Sequence, residues 1–283
     1  MRTEINNILN DLRVLLGKNY GRFSNYQQLA PCVIEKLGNN IFGIYSQNQV
    51  SLDSARYDWL INQLELKNIS VLEIGSNLGY FVLRLSSEFS SNIVAYEPVK
   101  EYAKATNLMA KLCDLEDNIS CIARGIYKDD IKGISKSDLI IHLNVLHHAG
   151  IEYDHNSLQK SGNWENYAIE YLSLLRKNGR RLFLQTGNIS SGKQLFPMQD
   201  SIYYIDSLLR KSGWKTRNIG IIENFDLLRY STYTSKEIHK IPTTKCNRNE
   251  ATGLVDYFRN DKLCVSLPTG LAARALWYCE CNE

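Results

Sequence analysis

The chain has 283 residues, which is long enough to bury a full hydrophobic core, and one enlarged domain is favoured over two independent ones. Hydrophobic residues at 44% and charged residues at 22% are typical of a soluble globular protein. The net charge of +3 is small for this length and argues against a large nucleic-acid-binding surface, although it is compatible with a local basic patch.

The sequence shows no sign of targeting to a membrane or to an oxidising compartment. No run of 18 apolar residues occurs, so we expect no membrane span. Acidic and basic residues interrupt the leucines of the first 20 residues, which argues against a signal-peptide core. The seven cysteines are odd in number and contain no Cys-x-x-Cys pair. We therefore expect reduced thiols, no metal site, and a cytoplasmic location.

Residues 1–66 are predicted to form an N-terminal helical cap. Apolar residues recur at helical spacing from Ile5 to Leu16 and predict an amphipathic first helix. Residues 18–50 are rich in Asn, Gln, Tyr and Gly and are expected to be mostly irregular or short-helical. Ser51 or Asp53 is placed to cap the next helix.

From residue 67 to 283 apolar runs alternate with helical stripes. The runs predict buried strands at residues 71–74, 93–96, 119–123, 139–143 and 182–185, and an extended segment at 214–222. Apolar residues at helical spacing predict four helices, whose buried faces begin at Leu78, Val99, Tyr167 and Ile202. This alternation predicts an α/β fold with a mainly parallel sheet covered by helices on both faces.

Two features of the last 55 residues lead to separate predictions. The apolar run Ala275–Cys279 is expected to pair at or near an edge of the sheet. Residues 231–265 are polar and contain Pro242, so we expect an inserted or extended loop there, of the length that is usually functional or mobile.

The most informative segment is residues 71–79, Val-Leu-Glu-Ile-Gly-Ser-Asn-Leu-Gly. It has the pattern of a buried strand that turns sharply into a helix, with glycines baring the backbone so that a ligand can lie against it. Glu97 closes the next apolar run, 22 residues after Gly75. An acidic residue at that spacing is placed to bind ribose hydroxyls. The two features together predict a nucleoside cofactor.

The turn does not fit a dinucleotide. A dinucleotide site has the pattern G-x-G-x-x-G, whereas here the pattern is Glu-x-Gly-x-Asn-x-Gly. Glu73 would repel a pyrophosphate, and its charge suits a ligand that carries an amine. Asn77 stands where a middle glycine is usual, and Asn is the residue next most at ease with a positive φ.

This pattern resembles motif I of class I S-adenosylmethionine-dependent methyltransferases. A second stretch, Asp138 to Gly150 (Asp-Leu-Ile-Ile-His-Leu-Asn-Val-Leu-His-His-Ala-Gly), is similar to the fourth motif of many small-molecule methyltransferases. The resemblance covers about residues 70–186. It implies a Rossmann-like sheet of seven strands, S-adenosylmethionine as cofactor, and methyl transfer to a hydroxyl or amine of a small molecule such as a sugar or secondary metabolite.

The resemblance also implies which residues contact the cofactor. Glu73 is expected to favour the ammonium group of the methionine part, and Glu97 to take both ribose hydroxyls. Asp129 is the residue chosen for the adenine amino group. The full set of expected contacts is Glu73, Gly75, Ser76, Asn77, Gly79, Tyr80, Glu97, Pro98, Asp129 and Asn144.

His147 and His148 are the candidate catalytic residues, because imidazole accepts protons near neutral pH. His147 is favoured as the base, since its counterpart in related wobble-uridine tRNA-modifying enzymes is a Tyr that faces the acceptor. His148 would then orient the site, and the alternative is that the pair only binds the loop backbone. The polar loop 150–163 is placed to close over the acceptor. Asp154 and His155 in it match no metal motif together with the histidine pair.

Two other functions remain open at this level. A tRNA-modifying enzyme of the wobble-uridine type would share the His147-His148 segment, but the sequence lacks the charge clusters that phosphate binding uses. A catalytically silent methyltransferase fold that serves as a binding protein is the other alternative. The intact motif around Gly75 and Glu97 argues against it.

Overall fold

The computed structural model describes residues 2–17, 27–38, 52–197 and 201–281. The chain divides into two compact units. Unit 1 contains Met1–Asp53 and Glu65–Ile126, and unit 2 contains Ser54–Leu64 and Tyr127–Glu283. The predicted boundary at residue 66 stays a prediction, and this division by packing places Ser54–Leu64 with the second unit instead.

The elements follow one another in the predicted order. The helices are α1 (Arg2–Leu16), α2 (Pro31–Leu37), α3 (Asp53–Ile61), α4 (Tyr80–Phe89), α5 (Lys100–Leu112), α6 (His155–Ser161), α7 (Trp164–Leu175) and α8 (Ser201–Lys211). The strands are β1 (Ser70–Ile74), β2 (Asn92–Tyr96), β3 (Ile119–Ile122), β4 (Ser137–Leu143), β5 (Gly179–Gln185), β6 (Ile189–Ser190), β7 (Lys193–Gln194), β8 (Trp214–Asn224), β9 (Arg229–Thr234), β10 (Lys245–Arg248), β11 (Val255–Arg259), β12 (Lys262–Leu267) and β13 (Leu276–Cys281).

In unit 1 the strands lie in the order β3-β2-β1 and all pairs are parallel. Val71, Leu72 and Ile74 of β1 are each 2% exposed, the continuous burial that a strand of a covered parallel sheet requires. The connections run through α4 and α5, whose apolar stripes are buried. This β1-α4-β2-α5-β3 alternation is Rossmann-like and confirms the predicted α/β class.

In unit 2 the strands lie in the order β4-β5-β13-β8-β9. The pair β4-β5 is parallel, and the other three pairs are antiparallel. The last strand therefore lies between β5 and β8, third from the β9 edge, so it is an interior strand near that edge and not the edge strand itself. Leu276 and Trp277 are fully buried, and both edges of β13 are hydrogen-bonded to neighbouring strands. A short apolar run predicts burial but does not tell an interior strand from an edge.

The main strands number three in unit 1 and five in unit 2, one more than the seven predicted. The additional strand is β9, which pairs with β8. Its side chains are exposed or half-buried, so it lacks the apolar run by which the other strands were recognised.

Residues 231–265 are not an extended loop, so that alternative of the prediction is wrong, and the other alternative, an insertion, stays a prediction. They contain most of β9, a 3₁₀ helix at Ser235–Lys240, and a separate antiparallel sheet in the order β10-β11-β12. The strands are short and half-exposed, so polar side chains alternate with buried ones such as Tyr257. The segment 150–163 also differs from the loop expected there, because it contains α6.

The N-terminal predictions are only partly covered by the described residues. Helix α1 is present as predicted. The predicted irregular stretch 18–50 lies largely outside the described ranges, as does Ser51. Asp53 is the first residue of α3, and its carboxylate accepts a hydrogen bond from the Gln28 backbone at 3.1 Å. Within the ranges described, we found no helix with the length and hydropathy needed to cross a bilayer.

Candidate functional site

The turn after β1 is built from residues that tolerate a left-handed backbone. φ is 78° at Gly75, 49° at Asn77 and 72° at Gly79. Gly and Asn adopt such angles most readily, which explains the residue types found here. The Gly75 and Ser76 N–H groups donate to the Tyr96 carbonyl at 2.8 and 3.4 Å, so the turn is fixed to the end of β2.

Glu97 is bonded to this turn. One carboxylate oxygen, Oε2, accepts from the Asn77 N–H at 2.8 Å, and the other, Oε1, accepts from the Val99 N–H at 2.9 Å. Burial raises the pKa of Glu97, and the two backbone donors oppose that rise. A carboxylate has about four lone-pair sites, so these two bonds leave it able to accept from a ligand as well.

Gly79 has a packing role that the sequence did not reveal. A Cβ atom at this position would lie 2.5 Å from Cγ2 of Thr106 on α5. The residue must therefore be glycine so that the start of α4 can approach α5. The absence of a side chain at Gly79 thus allows the two helices of unit 1 to pack together. Its contact with a cofactor stays a prediction.

The other residues predicted to contact the cofactor in unit 1 are placed as follows. Glu73 is 3% exposed at the end of β1, and Pro98 is exposed after Glu97. The Ser76 hydroxyl lies 3.5 Å from the Cys121 thiol. The Tyr80 hydroxyl accepts a hydrogen bond from Arg84. The Ser76 and Tyr80 side chains thus contact protein groups, and the Tyr80 N–H donates to Gln27 Oε1 at 3.2 Å, so the contact of these two residues with a cofactor stays a prediction.

In unit 2 a second group of polar residues follows β4 and β5. Asn144 comes directly after β4 with a φ of 60°, and its N–H donates to the Gln185 carbonyl at 2.7 Å. Its side-chain amide donates to Gln185 Oε1 at 2.9 Å and accepts from Arg274 Nη1 at 2.8 Å. Asn144 is therefore part of a side-chain network. Asp129 also belongs to unit 2, where it is exposed in a 3₁₀ helix at Lys128–Gly133.

Gln185 is the centre of this network and is fully buried. Its Oε1 accepts from Asn144 and also from Arg56 Nη1 at 3.1 Å. Its Nε2 donates to the Arg274 carbonyl at 3.1 Å. Donors on one side and an acceptor on the other fix the orientation of the amide. The Arg56 guanidinium thus donates to the side-chain amide of Gln185, and the Arg274 guanidinium donates to the side-chain amide of Asn144.

His147 is 2% exposed, and its Nδ1 accepts a hydrogen bond from the Gly187 N–H at 3.2 Å. A neutral ring that accepts at Nδ1 carries its proton on Nε2. Burial, together with the positive charge of Arg274, holds the pKa of His147 well below 6.5. The ring is consequently neutral at neutral pH with Nδ1 occupied by the Gly187 N–H, and the predicted role of His147 as a base stays a prediction.

Gly187 is required by the approach of Arg274 to His147. A Cβ atom at Gly187 would lie 2.8 Å from the Arg274 guanidinium and 3.1 Å from His147 Cδ2. With glycine there, Arg274 Nη1 lies 3.5 Å from His147 Nε2.

His148 has a different environment from His147, although the two ring centroids are 4.0 Å apart. Its Nδ1 lies 3.2 Å from Glu152 Oε1, and its side chain is 32% exposed. When Nδ1–H donates to a carboxylate, Nε2 becomes the acceptor of the ring. The Ser190 hydroxyl also lies 3.5 Å from Nδ1. The geometry of a carboxylate-oriented histidine thus belongs to His148.

The segment after the histidine pair is structural. Asp154 is buried and accepts from the Tyr167 hydroxyl at 2.6 Å and from the Lys128 N–H at 2.7 Å. His155 begins α6. Trp164 donates to the Leu146 carbonyl and packs in the core. Across the residues that the structure describes, no three or more His, Cys, Asp or Glu side chains are grouped to hold a metal ion.

Sequence reasoning missed Arg56, Glu152, Gln185, Gly187 and Arg274. Gln185 is the last residue of β5, and Gly187 follows the strand. Parallel sheets bind ligands at the carboxyl ends of their strands. Arg274 precedes β13, and the antiparallel pairing of β13 with β5 brings it to the same end. That direction was not available from the sequence. Nothing in the sequence around Arg56 points to its contact with Gln185.

The comparisons with known proteins add relatives at low identity. No family model matches the chain. The tRNA U34 carboxymethyltransferase of Helicobacter pylori (strain Shi470) is 25% identical over 210 residues, covering 70% of this chain and 75% of the relative. The enzyme of the same name from Helicobacter acinonychis (strain Sheeba) is 24% identical over 210 residues, covering 70% of this chain and 74% of the relative.

Similar solved structures include magnesium protoporphyrin IX methyltransferase (ChlM) from Synechocystis PCC 6803 with bound SAM. It has a TM-score of 0.48 and 12% identity, covering 96% of this chain and 97% of that one. TrmN from Thermus thermophilus has a TM-score of 0.43 and 11% identity, covering 80% of this chain. This chain spans 48% of the length of TrmN. The resemblance to methyltransferases is confirmed as a resemblance, and at these values it assigns no residue and no activity.

Proposed function

We propose that this protein is an S-adenosylmethionine-dependent methyltransferase that modifies a hydroxyl or amine of a small molecule. The observation that carries the proposal is the bond between the Glu97 carboxylate and the Asn77 N–H of the left-handed turn. It fixes an acidic group against bared backbone, the combination that a nucleoside ligand needs.

The residues present fit this cofactor. Glu97 retains acceptor capacity for two ribose hydroxyls, because its hydrogen bonds to Asn77 and Val99 use only part of its lone pairs. Glu73, at the end of β1, places a negative charge before the turn, and that charge favours an ammonium group. When bound, S-adenosylmethionine supplies a methyl group on a positively charged sulfur.

The proposed base is His148, with Glu152 as the group that orients it. As the acceptor oxygen or nitrogen forms its bond to the methyl carbon, the bond from that carbon to sulfur would break with S-adenosylhomocysteine as the leaving group. The acceptor's proton would pass to His148 Nε2. Glu152, 3.2 Å from Nδ1, stabilises the resulting imidazolium. His147, whose Nδ1 accepts from the Gly187 N–H, carries its proton on Nε2 and stays neutral. This assignment exchanges the roles that the sequence suggested for the two histidines.

Calorimetric titration with S-adenosylhomocysteine tests the cofactor. We expect saturable binding by the wild-type protein and none by Gly75→Val, since valine at a φ of 78° distorts the turn and fills the space along it. Gly133→Val is the matched control, because a Cβ there meets nothing within 4 Å. Absence of binding by the wild-type protein would refute the proposal and favour the silent binding protein.

Nitrogen-15 spectra of the histidine rings test the base without knowledge of the acceptor. We expect His147 as the Nε2–H tautomer with no titration near neutral pH, and His148 as the Nδ1–H tautomer. Glu152→Gln, which removes the charge beside Nδ1, should make protonation of His148 less favourable. A His148 ring protonated on Nε2 in its neutral form would contradict the assignment.

A second candidate is transfer of a carboxymethyl group to tRNA, the activity that the names of the Helicobacter relatives state. It is favoured by Arg56 and Arg274, which lie against Gln185 and Asn144, because a carboxylated donor would need such a cation. The mass of modified tRNA nucleosides separates the two candidates. Affinity for bulk tRNA that falls steeply with salt would support the second.

A further inference from the structure

Unit 1 brings two cysteines together from distant parts of the sequence. Cys32 is the second residue of α2, and Cys113 directly follows α5. Their side chains share a hydrogen bond. Both are free thiols and half-buried, so a small molecule in solvent can reach them. Two thiols in such contact are close to the separation at which a disulfide forms.

The packing of α2 fixes this contact. The helix lies against α4 and α5. Lys36 lies one turn after Cys32, and its Nζ is 2.9 Å from Oδ2 of Asp114, the residue that follows Cys113. The ion pair is exposed and contributes little stability by itself. It nevertheless spans the same two segments as the thiols, so the cysteines meet because the segments pack together and not because of one side-chain rotamer.

The two thiols have opposite environments. The hydrogen bond from Cys113 lowers the pKa of Cys32 and outweighs the effect of burial. The Ser87 hydroxyl and the Val33 N–H act in the same direction. The pKa of Cys113 is raised, first by its hydrogen bond to Cys32 and then by burial. Cys32 is therefore the thiolate, which is the reactive form, and Cys113 is a protonated thiol beside it.

Other cysteines have different environments. Burial raises the pKa of Cys121 to about 12, and it also raises the pKa of Cys279, which is fully buried. Cys264 is exposed, and its thiol donates to the Lys262 carbonyl at 3.6 Å. Accessibility, an activated sulfur and a second thiol in contact are combined at Cys32.

We propose that Cys32 and Cys113 form a redox-active dithiol that hydroperoxides oxidise to a reversible disulfide. The Cys32 thiolate attacks a peroxide oxygen, so that an S–O bond forms and the O–O bond breaks. The hydroxide or alkoxide that leaves takes up a proton. The product at Cys32 is a sulfenic acid.

Cys113 completes the reaction. Its sulfur attacks the sulfur of Cys32, so that the S–S bond forms and the S–O bond breaks, and the hydroxyl group leaves as water with the proton of Cys113. The two thiols lose two electrons, and one hydroperoxide is reduced. Because the sulfenic acid is neutral, the Cys32 charge no longer opposes ionisation of Cys113, while the charge of Lys36 favours it.

This modification site lies outside the polar cluster of unit 2, and its chemistry does not require the proposed methyl transfer. Accessible dithiols that form transient disulfides act as redox sensors in reducing compartments. The ligand class that the site takes is therefore an oxidant of the hydroperoxide type.

The probe for the test is hydrogen peroxide, added at a few equivalents to the folded full-length protein. Free thiols are then alkylated, and the protein is digested without reductant for mass spectrometry. We expect a peptide in which Cys32 is linked to Cys113, a mass lower by about 2 Da, and reversal by dithiothreitol. Cys264→Ser is the matched control and should give the same linked peptide. Peroxide treatment that leaves both thiols free, or that links other cysteines instead, overturns the proposal.

The separate roles of the two cysteines are tested with single variants and dimedone, which traps sulfenic acids. Cys113→Ser should stop at the sulfenic acid of Cys32 and give its dimedone adduct. Cys32→Ser should consume peroxide at least about fivefold more slowly and give no adduct at Cys113. Equal rates for the two variants, with an adduct at Cys113, overturn the assignment of Cys32 as the attacking thiolate.

The dependence on the fold is tested by repeating the oxidation in urea. All seven cysteines compete in an unfolded chain, so the preference for the Cys32–Cys113 link should disappear. The same preference in urea would show that helix packing does not create the site. Because none of these measurements uses S-adenosylhomocysteine, failure of the dithiol and failure of the methyltransferase proposal are separate results.

Discussion

The turn after β1 in unit 1 and the polar cluster after β4 and β5 in unit 2 are built in opposite ways. The turn is made of main chain, with positive φ angles at Gly75 and Asn77 and the Asn77 N–H bonded to Glu97. The cluster is made of side chains brought from distant parts of the sequence, with Gln185 holding Asn144 and Arg56. The turn therefore depends on glycines, which have no Cβ atom. The cluster depends on polar side chains that hydrogen-bond to one another.

The largest expected effect is in the cluster. Gln185→Leu removes the acceptor of two donors, the half-buried Asn144 amide and the buried Arg56 guanidinium. We expect a loss of about 4 kcal/mol in the free energy of unfolding, because one of the two donors that lose this acceptor is charged. Urea denaturation measures it. Gln185→Glu keeps the acceptor and should lose clearly less; equal losses for the two variants would show that the hydrogen bonds do not stabilise the cluster.

In the turn, the corresponding change adds an atom. Gly79→Ala places a Cβ 2.5 Å from Thr106 Cγ2 at a φ of 72°, and we expect a loss of about 3 kcal/mol in unfolding free energy. Gly253→Ala is the matched control, with a φ of 71° and nothing within 4 Å, and should lose only about 1 kcal/mol. Thr106→Ala combined with Gly79→Ala should recover most of the difference. Similar losses for Gly79→Ala and Gly253→Ala would exclude the steric explanation.

These two predictions bear on what the sequence could reveal. The spacing from Gly75 to Glu97 and the tolerance of Asn77 for positive φ are local properties, and both were readable without coordinates. The strands β1 to β5 were found for the same reason, since each is a continuous apolar run. The contact of Arg274 with Asn144 depends on the direction and position of β13, which are tertiary properties. Strand β9 was missed because a half-exposed strand has no such run.

A third prediction concerns His142, a buried polar residue of unit 2 whose ring lacks hydrogen bonds of the kind that Gln185 makes. His142 on β4 is fully buried, and within the described part of the chain neither ring nitrogen has a hydrogen-bond partner. Burial lowers the pKa of His142 to about 4, from 6.5 when exposed. The unfolded chain therefore binds the proton more readily than the folded one. Stability is complete above about pH 6.5 and is lost as the pH falls toward about 4.

His142→Phe should remove that pH dependence. Between about pH 7 and pH 5 the wild-type protein should lose about 2 kcal/mol more unfolding free energy than the variant. Urea denaturation at both pH values gives the comparison. His155→Phe is the control, because His155 begins α6 and is exposed, so it should keep the wild-type slope. A variant with an unchanged slope would mean that His142 is not the titrating group.

The smallest expected effect tests whether the carboxylate bonded to the turn contributes to binding of the cofactor. Glu97→Gln keeps the shape of the side chain but replaces one acceptor oxygen by a donor that faces the Asn77 or Val99 N–H. Binding of S-adenosylhomocysteine should weaken about tenfold. Glu116→Gln, at an exposed site of unit 1, should bind as the wild type does. An unchanged affinity for Glu97→Gln would remove this carboxylate from the cofactor site.

The interior position of β13 also has a consequence for biosynthesis. Strands β5 and β8 both pair with β13, so they leave the ribosome long before their common partner is translated. During that interval each exposes a row of unpaired main-chain groups, the kind of edge to which other chains add. We therefore expect that a chain released before residues 276–281 are translated would expose both of these strand edges and be prone to aggregate.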